Sequence, residues 1–306
     1  MVRLCQFSVA GVPSLGCQLP DGSFVDLSAA LAASPDPMHS TGVSGGPSMC
    51  AFISHGDAAL DFARAAVASG EHRVAAASAK LLAPITDPSK VICVGMNYKE
   101  HCTEQDYPIP TEPVIFSKFP SCICGEGDDI VLRPETSQLD WEVELCVVIG
   151  KGGTRIAKAD AYDHVLGYTV AHDVSARDLQ LNGNGGQWLV GKAFDTFAPI
   201  GPCIVTSDDI GNVDNLRVQT TVNGATVQDS NTSEFVFTVD VLVEHISKFM
   251  TLCPGDLIFT GTPSGVGCFR KPPVWLNHGD VAVCTIENIG SVTNTVVAET
   301  PAEGKL

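Results

Sequence analysis

Across 306 residues, 35 acidic side chains stand against 18 basic ones, a formal net charge of −17. Like charges repel, so nucleic acid and anionic membrane surfaces are excluded as main partners. Hydrophobic residues at 44% and charged residues at 17% provide for a core and exclude a disordered chain. The 29 glycines and 19 prolines favour turns and strands over long helices.

The chain starts with VRLCQFSVAG, which reads as a strand and has neither a signal-peptide hydrophobic region nor an Arg- and Ser-rich presequence. With no run of 18 apolar residues, the expectation is a soluble cytoplasmic protein, with mitochondria as the alternative compartment. Residues 28–83 are rich in Ala, Ser and Gly, with a turn-rich stretch, SPDPMHSTGVSGGPS, followed by an amphipathic helix predicted around Ala58–Ala68. Residues 1–85 hold 6 acids and 4 bases, which leaves 29 acids and 14 bases for residues 86–306. A Pro-bearing link, Ala83 to Pro88, falls where the composition changes, so the expected boundary separates a small N-terminal domain (1–85) from a larger one (86–306).

Beyond the link the pattern is strand-like: VICVG, PVIFSK, DIVLRP, WEVELCVVIG, VLGYTVAHDVS, APIGPCIVT, DLIFTGTP and VAVCTIENIG, separated by Gly, Pro, Asp and Asn. LRVQTTVNGATVQ predicts a hairpin turning at Asn223-Gly224. The clearest helix runs from about Thr238 to Met250, with Val239, Leu242, Val243 and Ile246 on one face. The 12 cysteines contain no CxxC pair, and several sit in apolar runs, so reduced thiols are expected and the sequon at Asn231 carries no glycan. No GxGxxG or Walker A motif supports a nucleotide cofactor.

On a strand, residues i and i+2 share a face, so Glu142 and Glu144 in DWEVELCVVIG lie side by side. Such a pair suits a solvent face or a cation between the two carboxylates. About thirty residues on, GYTVAHDVSARD ends a strand in His172-Asp173, and Asp173 offers a third carboxylate; on spacing alone Asp178 could replace any of the three. Three carboxylates describe a hard, oxygen-only site suited to Mg²⁺, with Mn²⁺ or Ca²⁺ as alternatives, more than to Zn²⁺. His172 reads as a structural neighbour. In NYKEHCTEQ, His101 and Glu104 are i and i+3 on a helix, the spacing of a general base held in one tautomer by a carboxylate or of a surface ion pair; Glu100 reads as structural. Arg177, Lys192 and Lys118 are conspicuous bases near these clusters, because a lysine inside an apolar run is rare unless paired or functional. The Gly-rich stretch from Phe259 to Gly267 can offer backbone N–H groups to an anion or form a plain turn.

The ordered series GxNYxxHxxE, WEVELxVVIG, HDVSARDxQ, the Lys192 segment and PGDLIFTGTPxGVG resembles the fumarylacetoacetate hydrolase superfamily from Lys90 to Val297. VGMNYxxHCxEQ, FSKF, GKxFDTF and FRKPPVWL resemble its domain-containing protein 2 branch. The resemblance implies a mixed β/α, mainly β fold: a β-strand roll catalytic domain beside the small N-terminal domain, assembled as a homodimer. It implies a metal held by Glu142, Glu144 and Asp173, a His101–Glu104 dyad with Lys192 as a further catalytic group, and substrate contacts from Arg177, Gln180 and Thr262. Met96 departs from the pattern, since many relatives have Arg there. The implied activity is Mg²⁺-dependent hydrolysis of C–C bonds in small anionic 2-oxo or 1,3-dicarbonyl acids through a metal-bound enolate. The alternatives are keto-enol tautomerisation or decarboxylation of oxaloacetate at the same site, and a non-catalytic metabolite-binding role.

Overall fold

The computed structural model describes residues 2–34, 42–43 and 46–299. The first part runs β1 (Arg3–Val9), β2 (Val12–Gln18), β3 (Phe24–Asp26), α1 (Leu27–Ala33), β4 (Gly42–Val43), β5 (Gly46–Pro47), α2 (Met49–Ile53), α3 (Asp57–Ser69), β6 (Arg73–Val74) and β7 (Lys80–Leu82). After the Pro-bearing link come β8 (Val91–Gly95), α4 (Lys99–Glu104), β9 (Val114–Lys118), β10 (Ile123–Cys124), β11 (Ile130–Leu132), β12 (Leu139–Asp140), β13 (Val143–Ile149), β14 (Val165–His172), β15 (Ser175–Ala176), α5 (Arg177–Leu181) and α6 (Leu189–Lys192). The chain finishes with β16 (Ala198–Thr206), α7 (Ser207–Ile210), β17 (Arg217–Val222), β18 (Ala225–Asn231), α8 (Val239–Ser247), β19 (Leu257–Phe259), β20 (Val281–Ile286) and β21 (Gly290–Ala298).

The helix predicted at Ala58–Ala68 is α3, and the one predicted at Thr238–Met250 is the shorter α8. Asn223 and Gly224 take φ of 50° and 80° between the paired Val222 and Ala225, the geometry a two-residue hairpin loop demands. Of the turn-rich stretch expected at 34–48, residues 35–41 and 44–45 lie outside the described residues.

A 12-stranded sheet, in the order β6-β3-β2-β1-β16-β14-β13-β19-β8-β9 with β10 and β7 attached to β16 and β1, organises the molecule. Because β1 pairs with β16, hydrogen bonding runs unbroken between the strands before and after the 83–88 link, where the composition changes. A second sheet, β11-β21-β20-β17-β18, and α8 cover one face. Val143, Leu145 and Val147 of β13 pack there with Val218, Leu242 and Ile286. Cys146 and Val148 face the other way, into a layer with Leu27, Phe52, Ile53 and Ala59 from the N-terminal helices. Strand β13 is therefore buried on both faces, which excludes a solvent face for Glu144. All twelve cysteines are free and nine are buried. Burial pushes the Cys93 and Cys146 thiols well above their usual range, as expected of thiols that act as small hydrophobes.

Gly167 shows how tight this sheet is: a Cβ there would lie 2.1 Å from the Val205 carbonyl oxygen of the paired strand. Gly167→Ala must push β14 from β16, and the expected loss is about 3 kcal/mol, read as a lower urea midpoint at unchanged slope; a loss below 1 kcal/mol would contradict this packing.

Candidate active site

Antiparallel pairing of β13 with β14 assembles the carboxylates. Val143 lies opposite His172, and the Asp173 N–H donates to the Glu142 carbonyl at 2.8 Å, so Asp173 arrives beside Glu142 and Glu144. One oxygen from each of Glu142, Glu144 and Asp173 lies within 4.8 Å of the others, and all three residues are buried. Asp178, the alternative on spacing, instead accepts from Thr136 Oγ1 at 2.6 Å and the Ser137 N–H at 3.0 Å. His172 joins no such group, and both its ring nitrogens lack a hydrogen-bond partner. Burial, then the Lys118 charge, push its pKa down to about 3, so the ring is neutral.

Three buried cations meet these acids. Lys192 Nζ bridges Glu142 Oε2 and Asp173 Oδ2, at 2.9 Å each. Arg177 pairs with Glu142 Oε1 at 2.6 Å and Asp140 Oδ2 at 2.8 Å, and donates to Gln180 Oε1 at 2.9 Å. Lys118 reaches Asp173 Oδ1 at 2.7 Å and donates to the Val174 and Lys192 carbonyls at 3.0 and 2.6 Å. It thus fixes both a candidate ligand and the backbone of Lys192. Burial alone would raise the Glu142 carboxyl, but Lys192 and Arg177 together hold it at about 2. Burial pushes Glu144 well above the usual range, and Asp173 and Glu142 add to the rise. Among the described residues Glu144 has no ion-pair partner; its carboxylate accepts the Gly261 N–H at 2.6 Å.

The Gly-rich loop after β19 does serve anions, and the anions are the protein's own. Besides Gly261 to Glu144, Gly265 N–H donates to Glu104 Oε2 at 2.9 Å, and the Gly267 and Cys268 N–H groups hold Asp140 at 2.6 and 3.0 Å. Gly261 sits at φ +94°, and a Cβ there would lie 2.8 Å from the Asn97 Cβ; both favour glycine. Thr262 Oγ1 accepts from Gln228, whose other end accepts from the Val143 N–H and Thr220.

Helix α4 carries the dyad. His101 Nδ1 and Glu104 Oε1 are 2.6 Å apart with His101 buried, so the surface ion pair is excluded. His101, Glu142, Glu144, Arg177, Gln180, Lys192 and Thr262 line one small cavity, with Glu104 and Asp173 held behind them by the bonds above. Gln105, Trp188, Phe116 and Phe269 also line it. Of these, Gln105 was legible only within the HCxEQ motif, and nothing local marked Asp140 or Gln228. A wider cleft along Asp57, Lys151, Asp163 and Asp208 gathers no base with ligand carboxylates among the described residues, so chemistry selects the smaller cavity.

The family described as "Fumarylacetoacetate (FAA) hydrolase C-terminal" matches residues 90–297. The chain belongs to the fumarylacetoacetate hydrolase family. It is 49% identical over 299 residues to the Xenopus laevis protein named "Oxaloacetate tautomerase fahd2, mitochondrial", covering 97% of this chain and 90% of that one. To the Homo sapiens "Oxaloacetate tautomerase FAHD2A, mitochondrial" it is 52% identical over 249 residues, 81% of this chain and 79% of that one. Among solved structures it superposes on fumarylacetoacetate hydrolase from Exiguobacterium antarcticum with a TM-score of 0.82 at 35% identity, covering 98% and 100% of the two chains. On 2-hydroxyhepta-2,4-diene-1,7-dioate isomerase from Mycobacterium marinum the TM-score is 0.74 at 34% identity, with both chains fully covered. The family's enzymes thus include hydrolases and isomerases, on the mainly β fold seen here.

The donor set fits a hard divalent cation: oxygen only, tightly grouped, and one cation short, with four buried carboxylates (Asp140, Glu142, Glu144, Asp173) facing Lys118, Arg177 and Lys192. Glu144 must be ionised to bind it. Its carboxyl is raised in the metal-free protein, so affinity should rise with pH up to that raised value and level off above it, by up to about tenfold per unit. Calorimetric titration with Mg²⁺ or Mn²⁺ from pH 5 to 8, in buffers of different ionisation enthalpy, should show proton release on binding; pH-independent affinity without proton release would exclude Glu144 as a ligand. Asp173→Ala should weaken binding by at least about tenfold, and unchanged affinity would remove Asp173 from the set.

Proposed function

We propose that the chain is an oxaloacetate keto-enol tautomerase that uses a divalent cation, Mg²⁺ first among the candidates, at Glu142, Glu144 and Asp173. The observation that carries this is that His101 of the dyad lines the same cavity as Glu142 and Glu144 of the carboxylate trio. The names of relatives about half identical to this chain support the tautomerase over the C–C hydrolysis expected first from the sequence, and over a non-catalytic role. When bound, the cation would draw electron density from the substrate's 2-oxo group and acidify its C3.

The protein's own groups do the rest. His101 Nδ1 carries a proton toward Glu104, which leaves Nε2 as the base. Nε2 removes a proton from C3, Glu104 stabilises the charged ring, and return of that proton to the 2-oxo oxygen gives the enol. No water enters and no electron is lost. Arg177 and Lys192 supply positive charge along the cavity, and the Gln180 amide, accepting from Arg177 through its oxygen, keeps its N–H groups for a substrate oxygen. The relatives' names place those proteins in mitochondria, which favours that compartment over the cytoplasm expected first; a homodimer is part of the same proposal and rests on the family resemblance.

Oxaloacetate enol absorbance gives the test. His101→Asn should lower kcat by about 10²- to 10⁴-fold while Mg²⁺ affinity holds. Equal turnover by variant and parent would remove His101 as the base, and faster cleavage of acylpyruvates than tautomerisation would return the assignment to hydrolysis.

A further inference from the structure

The base is already occupied. In the neutral ring the 2.6 Å contact to Glu104 places the proton of His101 on Nδ1, so that Nε2 presents a lone pair, and the Gln105 side-chain nitrogen lies 2.7 Å from it. Only a donor satisfies a lone pair, which assigns the amide –NH₂ to that end of Gln105. The same nitrogen lies 3.5 Å from Met96 Sδ, a weak acceptor. Met96, at φ +58°, stands where the sequence departs from an Arg-bearing pattern. Both residues line the cavity with His101. The amide is therefore held between a thioether and the catalytic nitrogen, on the C-terminal residue of the turn that carries the dyad.

We propose that Gln105 is the positioning residue of the base: its amide caps His101 Nε2 in the resting site, aims the lone pair and keeps water from it, and yields only when substrate enters. A proton acceptor that already accepts one hydrogen bond cannot take the C3 proton along the same lone pair, so the amide must leave Nε2 before transfer. Substrate binding and release of the base become one event. Methionine sulfur makes a weak second acceptor, so it holds the amide in place without preventing its departure, whereas an arginine at position 96 would bring a second donor and a charge against the same nitrogen.

This rests on the proposed base role of His101, and the test separates the two. Gln105→Met keeps the length of the side chain and removes the donor. Substrate then breaks no hydrogen bond on entering, so KM for oxaloacetate should fall about fivefold; a merely structural Gln105 predicts the reverse, a raised KM. Gln105→Glu sets a second carboxylate on the ring, which should hold protons on both nitrogens and lower kcat by at least about a hundredfold. Nitrogen NMR of histidine-labelled protein, with neither metal nor substrate, reads the ring directly. The His101 Nε2 resonance should move toward that of an unbonded pyridine-type nitrogen in Gln105→Met, and both ring nitrogens should become N–H in Gln105→Glu. An unmoved Nε2 resonance, or a KM unchanged or raised in Gln105→Met, overturns the proposal. Failure of the parent protein to turn over oxaloacetate would sink the functional reading, and the NMR comparison would still decide the role of Gln105.

Discussion

Three buried carboxylates with oxygens within 4.8 Å of one another repel unless positive charge reaches them, and much of this molecule is arranged around that demand. Lys118, Arg177 and Lys192 are the buried lysines and arginines among the described residues, and all three end in this cluster. Their placement sets two carboxylates of the same strand apart. Glu142, between Arg177 and Lys192, is held at about 2; Glu144, with a single backbone donor, is raised. A cation would complete what the lysines leave undone at Glu144. It would also compete with Lys192 for Glu142 and Asp173, so the position of the lysine would depend on whether the cation is bound.

Backbone donors carry the rest of the load. A loop of nine residues after β19 sends N–H groups to Glu144, Glu104 and Asp140, one from each part of the site: the carboxylate trio, the dyad and the anchor of Arg177. Hydrogen bonds to charged acceptors are each worth about 1.5–3 kcal/mol, and these cost side-chain entropy only on the acceptor side, since the donors belong to the main chain. Glycine at 261 follows from this, because the chain must turn at positive φ with Asn97 pressed against it. Asn97 in turn donates to the Thr260 carbonyl at 2.8 Å, which ties the start of the dyad helix to the loop. The dyad and the trio are thus held in register by one short segment, although they lie on separate elements.

How much of this the sequence discloses depends on the range of the contact. Periodicity of two placed Glu142 beside Glu144, spacing of three placed His101 beside Glu104, and Asn-Gly fixed the hairpin, because each is a local consequence of backbone geometry. Asp173 was reachable only as one of two candidates, since strand pairing across thirty residues decides between it and Asp178. Burial of β13 on both faces was open to a solvent-face reading until the N-terminal helices and the second sheet were seen to cover it. Asp140 and Gln228 carried no local signal at all. Asp140 is a carboxylate whose partners are an arginine 37 residues on and two N–H groups about 127 residues on, and Gln228 links two sheets. Lys118 was flagged as rare in an apolar run, but its dual hold on Asp173 and the Lys192 backbone is purely tertiary.

A base, an electron-withdrawing centre and a cationic wall serve hydrolysis and tautomerisation alike, so the two differ in whether water has a place against the base. In a hydrolase, Nε2 of the dyad must hold a water aligned on the substrate carbonyl. Here that lone pair already accepts the Gln105 amide, and Trp188, Phe116 and Phe269 add apolar walls to the same cavity. Displacing a direct hydrogen bond to seat a water exchanges one polar contact for a similar one and adds the entropy of ordering that water. Displacing it with a substrate already held by its carboxylate and keto oxygens costs the same bond, but the ordering is supplied by contacts made elsewhere on the substrate. On the proposed reading, a capped base would discriminate against water and admit an anchored C–H acid, the selectivity a tautomerase of a hydrolysable class of acids requires.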